Sequence, residues 1–127
     1  MKNEPELSYS PRVRADLRRC RQFLRRQASG RVSKRIRELM KGVRRVRASP
    51  LLYPIRAIHP DTGAELRRHN VAQFALMYAY FKPTPALPYG EVSIRAIAHA
   101  SEADVWLEVR ERGHSETRRS LFTRMSI

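Results

Sequence analysis

The chain has 127 residues, of which 42% are apolar and 30% are charged, a composition that fits one compact domain and excludes a disordered tail. Its longest apolar stretch, residues 71–81, is too short for a membrane helix of roughly 20 residues, and no apolar segment typical of a secretory signal follows Met1. Cys20 is the single cysteine, which excludes an internal disulfide and a cysteine-based zinc site and suits a reducing cytoplasm.

Positive charge is concentrated in one region of the chain. The net charge is +14, and residues 12–47 carry fifteen basic residues against Asp16 and Glu38, a net of +13. The rest of the chain carries eleven basic and ten acidic residues, so almost the entire surplus lies in this region. Such a field favours an anionic partner, which is a nucleic acid, an acidic protein or, less readily, a membrane surface. Charge alone does not choose among them.

The first half of the chain is predicted to form a short strand followed by two helices. Residues 4–10 alternate loosely as a strand, and Ser10 is placed to cap a helix that begins at Pro11. Apolar residues then recur at helical spacing, as Val13, Leu17, Cys20 and Leu24 in one helix and as Val32, Ile36, Leu39, Val43 and Val46 in the next. The Ser29-Gly30 break joins them into a helical hairpin with its apolar stripes inward and its arginines outward.

The second half changes to the period of a strand. Residues 59–63 form a turn in which Pro, Asp and Gly take their usual places. Residues 65–81 are dense in β-formers, a proline-rich connection follows over 82–90, and residues 92–99 alternate as another strand. A short helix is expected over 102–112, and residues 113–127 are expected to form a flexible C-terminal tail.

The predicted fold is therefore α+β, in the order β-α-α-β-β-β with an added C-terminal helix, and residues 1–112 form one domain. The helical hairpin would cover one face of a small, mostly antiparallel sheet, and the other face would be open. Alternation along residues 92–99 puts Val92 and Ile94 towards the helices. It puts Arg95 and His99 together on the open face.

Several short motifs resemble the RelE/ParE toxins. Leu66-Arg67-Arg68, Val71, Phe74 and Leu76-Met77-Tyr78 look like their central strand pair. Residues 92–99 resemble their last core strand, which often ends in a histidine. Tyr9-Ser10-Pro11 followed by Ala15-Asp16-Leu17 is similar to their first strand and helix. The likeness spans about residues 7–106 and depends on these motifs occurring together in the right order.

This resemblance implies the toxin of a toxin–antitoxin pair, which acts in the cytoplasm, needs no cofactor or metal, and is neutralised by a cognate antitoxin protein. RelE-like members cleave mRNA in the ribosome, whereas ParE-like members inhibit DNA gyrase and need no catalytic residues of their own. We expect the endoribonuclease mechanism, with gyrase inhibition as the alternative. A plain nucleic-acid-binding module is a third hypothesis.

For RNA cleavage, the candidate catalytic residues are His59, His69, His99 and Arg95. A histidine can move a proton near neutral pH, and the three histidines are placed similarly to those of the YafQ type of RelE-like ribonuclease. Trp106 could stack on a base. Each also has a plainer interpretation: His59 as a turn residue, His69 as an exposed polar residue, His99 as a structural histidine, and Trp106 as a packing anchor.

The candidate phosphate ligands are basic residues on the central strands and on the helices. They are Arg67, Arg68, Arg18, Arg21, Arg25, Lys34, Arg37 and Arg44. The chain also departs from the family, because Ala75 and Ala100 stand where RelE carries arginines. Ser101-Glu102 stands where ParE-like chains often carry an arginine, so neither mechanism matches cleanly.

Overall fold

A computed structural model describes residues 3–27 and 31–100. The elements are β1 (Glu6–Tyr9), α1 (Val13–Arg26), α2 (Val32–Ala48), β2 (Ile55–Ile58), β3 (Glu65–Val71), β4 (Phe74–Phe81) and β5 (Glu91–His99). The predictions for the Ser29-Gly30 break, the helix at 102–112, Trp106 and the tail at 113–127 lie outside the described residues.

The five strands form one mixed sheet in the order β1-β5-β4-β3-β2. β1 runs parallel to β5, and the other neighbouring strands are antiparallel. The α+β class, with two helices packed against one sheet, is confirmed. The structure adds β2, which the sequence did not predict, because the four residues of Ile55–Ile58 are too few to establish a period. Pairing with β3 makes them a strand.

Both predicted helical stripes are buried against one face of the sheet. The fully buried apolar side chains are Val13, Cys20 and Leu24 from α1 and Leu39, Val43 and Val46 from α2. They pack with large side chains of β4 and β5, which include Phe74, Leu76, Tyr78, Ile94 and Ile97. Each such side chain contributes about 1.5–3 kcal/mol when fully withdrawn from water, so this main core holds the helices to the sheet. Within residues 3–27 and 31–100, neither helix has the length and apolar character needed to cross a membrane.

The face of the sheet away from the helices carries a second apolar cluster. Its members are Ala64, Leu66, Met77, Ala79 and Ala96, none more than 2% exposed, with Ala57 and Phe81 packed against them. The prediction that this face is open is wrong for these positions. The side chains that alternate onto it are apolar, and burial withdraws them from water, which lowers their free energy.

A β-bulge interrupts β5 and changes which of its side chains face the helices. Met77 pairs with Ala96, but the next residue of β4, Tyr78, pairs with Ile94, so Arg95 is the extra residue. Before the bulge, Ile94 packs in the main core; after it, Ile97 does so, three positions later instead of two. The strict alternation assumed from the sequence therefore fails at Arg95.

Candidate functional site

The predicted pairing of Arg95 and His99 on one face is wrong, and the bulge is the reason. The Arg95 guanidinium donates to Ser93 Oγ at 2.7 Å on the face away from the helices. His99 follows Ile97 onto the helix-covered face, where its ring lies 4.5 Å from that of Phe23. The sheet therefore separates the two groups that were expected to address one phosphodiester.

Two side chains from the start of the helical region hold the bulge in place. Ser10 Oγ donates to the carbonyl oxygen of Arg95 at 2.8 Å, and Asp16 Oδ2 accepts the N–H of Ile97 at 3.0 Å. Ser10 therefore does not cap α1 as predicted, because its hydroxyl bonds across to β5. Asp16, only 1% exposed, also pairs with Arg12 and Arg19, which offset the cost of burying its charge.

His99 lines a cavity between α1 and the end of β5. The cavity has a volume of about 120 Å³ and is bounded on the α1 side by Arg19, Phe23 and Arg26. Phe74 meets His99 edge-on with ring centres 6.1 Å apart. His99 thus has both a neighbouring cavity and neighbouring cations.

His69 lies on the same face of the sheet but beside the other helix. Its ring stacks on that of Tyr53 at 4.0 Å, and its Nε2 atom is buried without a hydrogen-bond partner in the described part of the chain. Burial, and secondarily the positive charge of Arg45, lowers the pKa of His69 below its ordinary value. This environment favours the neutral imidazole.

His59 is a structural residue of the turn between β2 and β3. Its Nδ1 atom accepts the backbone N–H groups of Asp61 and Thr62, both at 3.1 Å, and the residue is buried. The predicted turn is confirmed, with Gly63 at φ 72° closing it. An Nδ1 that accepts two backbone hydrogen bonds is not available as a base without breaking the turn.

The three histidines do not converge on one site. His69 is on β3 and His99 is on β5, so two strand spacings, or about 10 Å, separate them across the sheet. His59 bonds Ala64 at the opposite end of β3, five residues or roughly 16 Å from His69. No pair of them can act on a single phosphodiester in this arrangement.

Arg67 anchors the connection that follows α2. It is buried, bonds Glu65 at 2.7 Å, and donates to the carbonyl oxygens of Leu51 and Tyr53. The Tyr78 hydroxyl reaches the same connection by donating to the carbonyl oxygen of Pro50 at 2.5 Å, and burial raises the pKa of this hydroxyl. These contacts give Arg67 a structural role, and its contact with a phosphate stays a prediction.

Arg68 and Arg95 share the face away from the helices. Arg68 donates to Asn70 Oδ1 at 2.8 Å and to the carbonyl oxygen of Ala100 at 3.3 Å. Burial lowers the pKa of Arg95 to about 10, which leaves it charged at neutral pH. Since Arg68 is on β3 and Arg95 is on β5, about 10 Å separates them across the sheet. They are two strand arginines on one face, and both are buried, with 6% and 3% of their surfaces exposed.

The predicted phosphate ligands on the helices all reach the surface. Each of the six is exposed on the outer side of the helices: Arg18, Arg21, Arg25, Lys34, Arg37 and Arg44. We call the region formed by residues 12–47 the basic hairpin. Among the described residues, no three His, Cys, Asp or Glu side chains are grouped so as to hold a metal ion.

The sequence reasoning missed Asp16 as an organising residue. Asp16 is one of only two acidic residues within the basic hairpin, and it stands one position before Leu17 of the apolar stripe. Glu38 stands in the same relation to Leu39 and is about one-third exposed, so this position alone does not distinguish Asp16. Its partner, Ile97, is 81 residues away and could not be read from the pattern.

No protein-family model matches the chain, and no curated protein matches it either. The likeness to the RelE/ParE toxins therefore rests on the short motifs in the sequence.

Proposed function

We propose that the chain is the toxin of a toxin–antitoxin pair, of the RelE/ParE kind, and that its basic hairpin takes part in binding the target. The observation that carries the proposal is the basic hairpin itself. Its apolar stripes are buried against the sheet, and its net charge of +13 is directed outward. A net charge of this size exceeds what solubility requires, and its field attracts an anionic partner.

The dispersal of the histidines favours inhibition without catalysis, as in ParE-like inhibition of DNA gyrase. A ribonuclease needs a base, an acid and a cation around one phosphodiester. Here His59 is engaged in a turn, His69 stacks on Tyr53 and His99 lies across the sheet from Arg95. Binding alone needs no such convergence, so the geometry supports this mechanism better.

The ribosome-dependent endoribonuclease is the second candidate, and one specific observation favours it. Arg68 and Arg95, both buried, are held on the face away from the helices, which places two cations on one side of the sheet. Such an enzyme would rely on these guanidinium groups for charge stabilisation, and its proton transfers would use residues other than His99.

The decisive experiment is expression of the chain in a translating cell extract, with message 5′ ends and plasmid supercoiling measured together. Inhibition without catalysis predicts lost supercoiling and intact messages, and it predicts that His99→Gln remains inhibitory. New message ends that disappear in Arg68→Gln but persist in His99→Gln would establish the second candidate. An extract unaffected in both readouts would remove the toxin proposal.

The contribution of the basic hairpin is tested by salt. If its six exposed candidates contact phosphates, log K should fall against log [salt] with a slope of about −4 on single strands and about −5.5 on duplex DNA, because binding releases condensed counterions. Replacing Arg37 and Arg44 by Gln should make the slope less negative by about 1 to 2. A slope near zero on ribosomes and on DNA would show that the hairpin does not bind nucleic acid.

A further inference from the structure

The cavity under α1 combines aromatic and cationic groups in a way that the proposed function does not use. Three rings meet at its wall, since Phe23 lies 4.5 Å from His99 and 6.1 Å from Phe74 between ring centres. Two arginines, Arg19 and Arg26, also line it. The rings and the two arginines together place a stacking surface beside positive charge.

The chemistry of the lining indicates a ligand with a flat ring at one end and negative charge at the other. Aromatic side chains stack on bases with little regard to sequence, at about 1–3 kcal/mol per base. Arginine binds phosphate through two parallel charge-assisted hydrogen bonds. Arg19 already pairs with Asp16, whereas Arg26 lies exposed in the last turn of α1. Arg26 is therefore the principal cation for the ligand.

The size of the cavity limits what can enter. Its volume of about 120 Å³ is well below the roughly 300–1,000 Å³ of pockets that enclose a drug-sized molecule. One planar group can enter between α1 and β5, and the remainder of the ligand must lie at the mouth, where the arginines are.

We propose that this cavity binds a nucleotide, with its base against the rings of Phe23 and His99 and its phosphate on Arg26, assisted by Arg19. The nucleotide is either a free mononucleotide or one unit of a single strand. The proposal does not rest on the toxin assignment, because binding is measured on the isolated chain. The site is also separate from Arg68 and Arg95, which lie on the other face of the sheet.

The test compares three probes on the full chain by titration calorimetry: AMP, adenosine and inorganic phosphate. Arg26→Gln should weaken the binding of AMP by about tenfold, which corresponds to the loss of one charge-assisted hydrogen bond. It should also weaken the binding of phosphate but leave that of adenosine unchanged. Phe23→Leu should weaken the binding of AMP and adenosine but leave the binding of phosphate unchanged. Arg14→Gln is the matched control, since it removes one exposed arginine from α1 away from this cavity.

A labelled single-stranded RNA octamer separates the two sources of the nucleotide. Binding of AMP without the octamer indicates a free nucleotide, whereas octamer binding weakened by Phe23→Leu indicates a strand. Because Arg26 is exposed, Arg26→Gln is expected to fold even if Phe23→Leu does not. The proposal is overturned if Arg26→Gln and Arg14→Gln weaken the binding of AMP equally. It is also overturned if Arg26→Gln and Phe23→Leu leave the binding of both AMP and the octamer unchanged. A glutamate-rich peptide that binds there in place of AMP would also overturn it.

Discussion

The two helices cover the same face of the sheet, but different interactions attach them to it. α1 packs on β5 and is tied to it by a buried carboxylate, Asp16, which bonds the backbone of Ile97 beside the bulge. α2 packs on β3 through apolar contact, and Gly42 lets it approach so closely that an added Cβ would lie 2.9 Å from Val71 Cγ1.

This difference explains why the cavity lined by His99 lies on the α1 side of the core. The bulge breaks the pairing of β5 and leaves backbone groups that need polar partners, so the α1 side accommodates charge and a cavity. The α2 contact is apolar and close-fitting, and its neighbouring polar groups, Arg67 and Tyr78, serve the connection after the helix. The irregularity in β5 is thus accompanied by a buried carboxylate on the α1 side of the core.

The largest expected effect is at the apolar attachment of α2. Leu39 is fully buried, so Leu39→Ala should lower the free energy of unfolding by about 2–5 kcal/mol, the range for emptying a packed site. Arg44→Ala, on the exposed side of the same helix, should change it by less than about 0.5 kcal/mol. Urea denaturation measures both, and equal losses would contradict the assignment of the buried stripe.

The polar attachment of α1 should be weaker but more specific. Asp16→Ala leaves the Ile97 N–H without its acceptor and should lower the free energy of unfolding by about 1–3 kcal/mol. Asp16→Asn should lose less, because an amide oxygen can still accept that bond. Faster amide exchange at Ile97 in Asp16→Ala would locate the effect at the bulge.

A matched control for Asp16 lies on α2. Glu38 pairs with Arg35 at 3.3 Å, and both side chains are about one-third exposed. Glu38→Ala should therefore change the free energy of unfolding by about 0–1 kcal/mol. If Asp16→Ala proved no more costly than Glu38→Ala, the carboxylate would not be the attachment of α1.

The close approach of α2 to β3 is tested by adding one methyl group. Gly42→Ala gains up to about 1 kcal/mol of helix propensity but forces Val71 to move, which costs about 1–3 kcal/mol. We expect a net loss of about 1 kcal/mol on these values. The double variant Gly42→Ala/Val71→Ala should lose less than the sum of the single losses, and strict additivity would show that the two residues do not collide.

The smallest effect is a pH dependence from His69. Its folded pKa lies below the unfolded value of 6.5, so the unfolded chain binds more protons as the pH falls. The stability it contributes is fully present above about pH 6.5 and is lost as the pH falls towards the folded pKa. His69→Phe keeps a ring beside Tyr53 and should flatten the fall in urea midpoint between about pH 7.5 and pH 5.5. An unchanged fall would assign it to other groups.

The sequence by itself determined the parts of the molecule that repeat locally. The spacing of Leu39, Val43 and Val46 places them on one side of a helix whatever lies opposite, and the buried stripe follows from it. The turn before β3 is likewise determined by its own residues, since His59 and Gly63 bond each other. The concentration of positive charge in the basic hairpin follows directly from the numbers of basic and acidic residues in the sequence.

The tertiary structure alone decided the site. Nothing in the residues of β5 marks Arg95 as extra, because alternation continues through it; the bulge exists only in the pairing with β4. Because of this extra residue, His99 lies in the cavity under α1 and not on the same face as Arg95. Asp16 stabilises this register from 81 residues away. Local periodicity fixes side-chain direction within an element, but strand register depends on the partner strand and on the long-range hydrogen bonds that satisfy its irregularities.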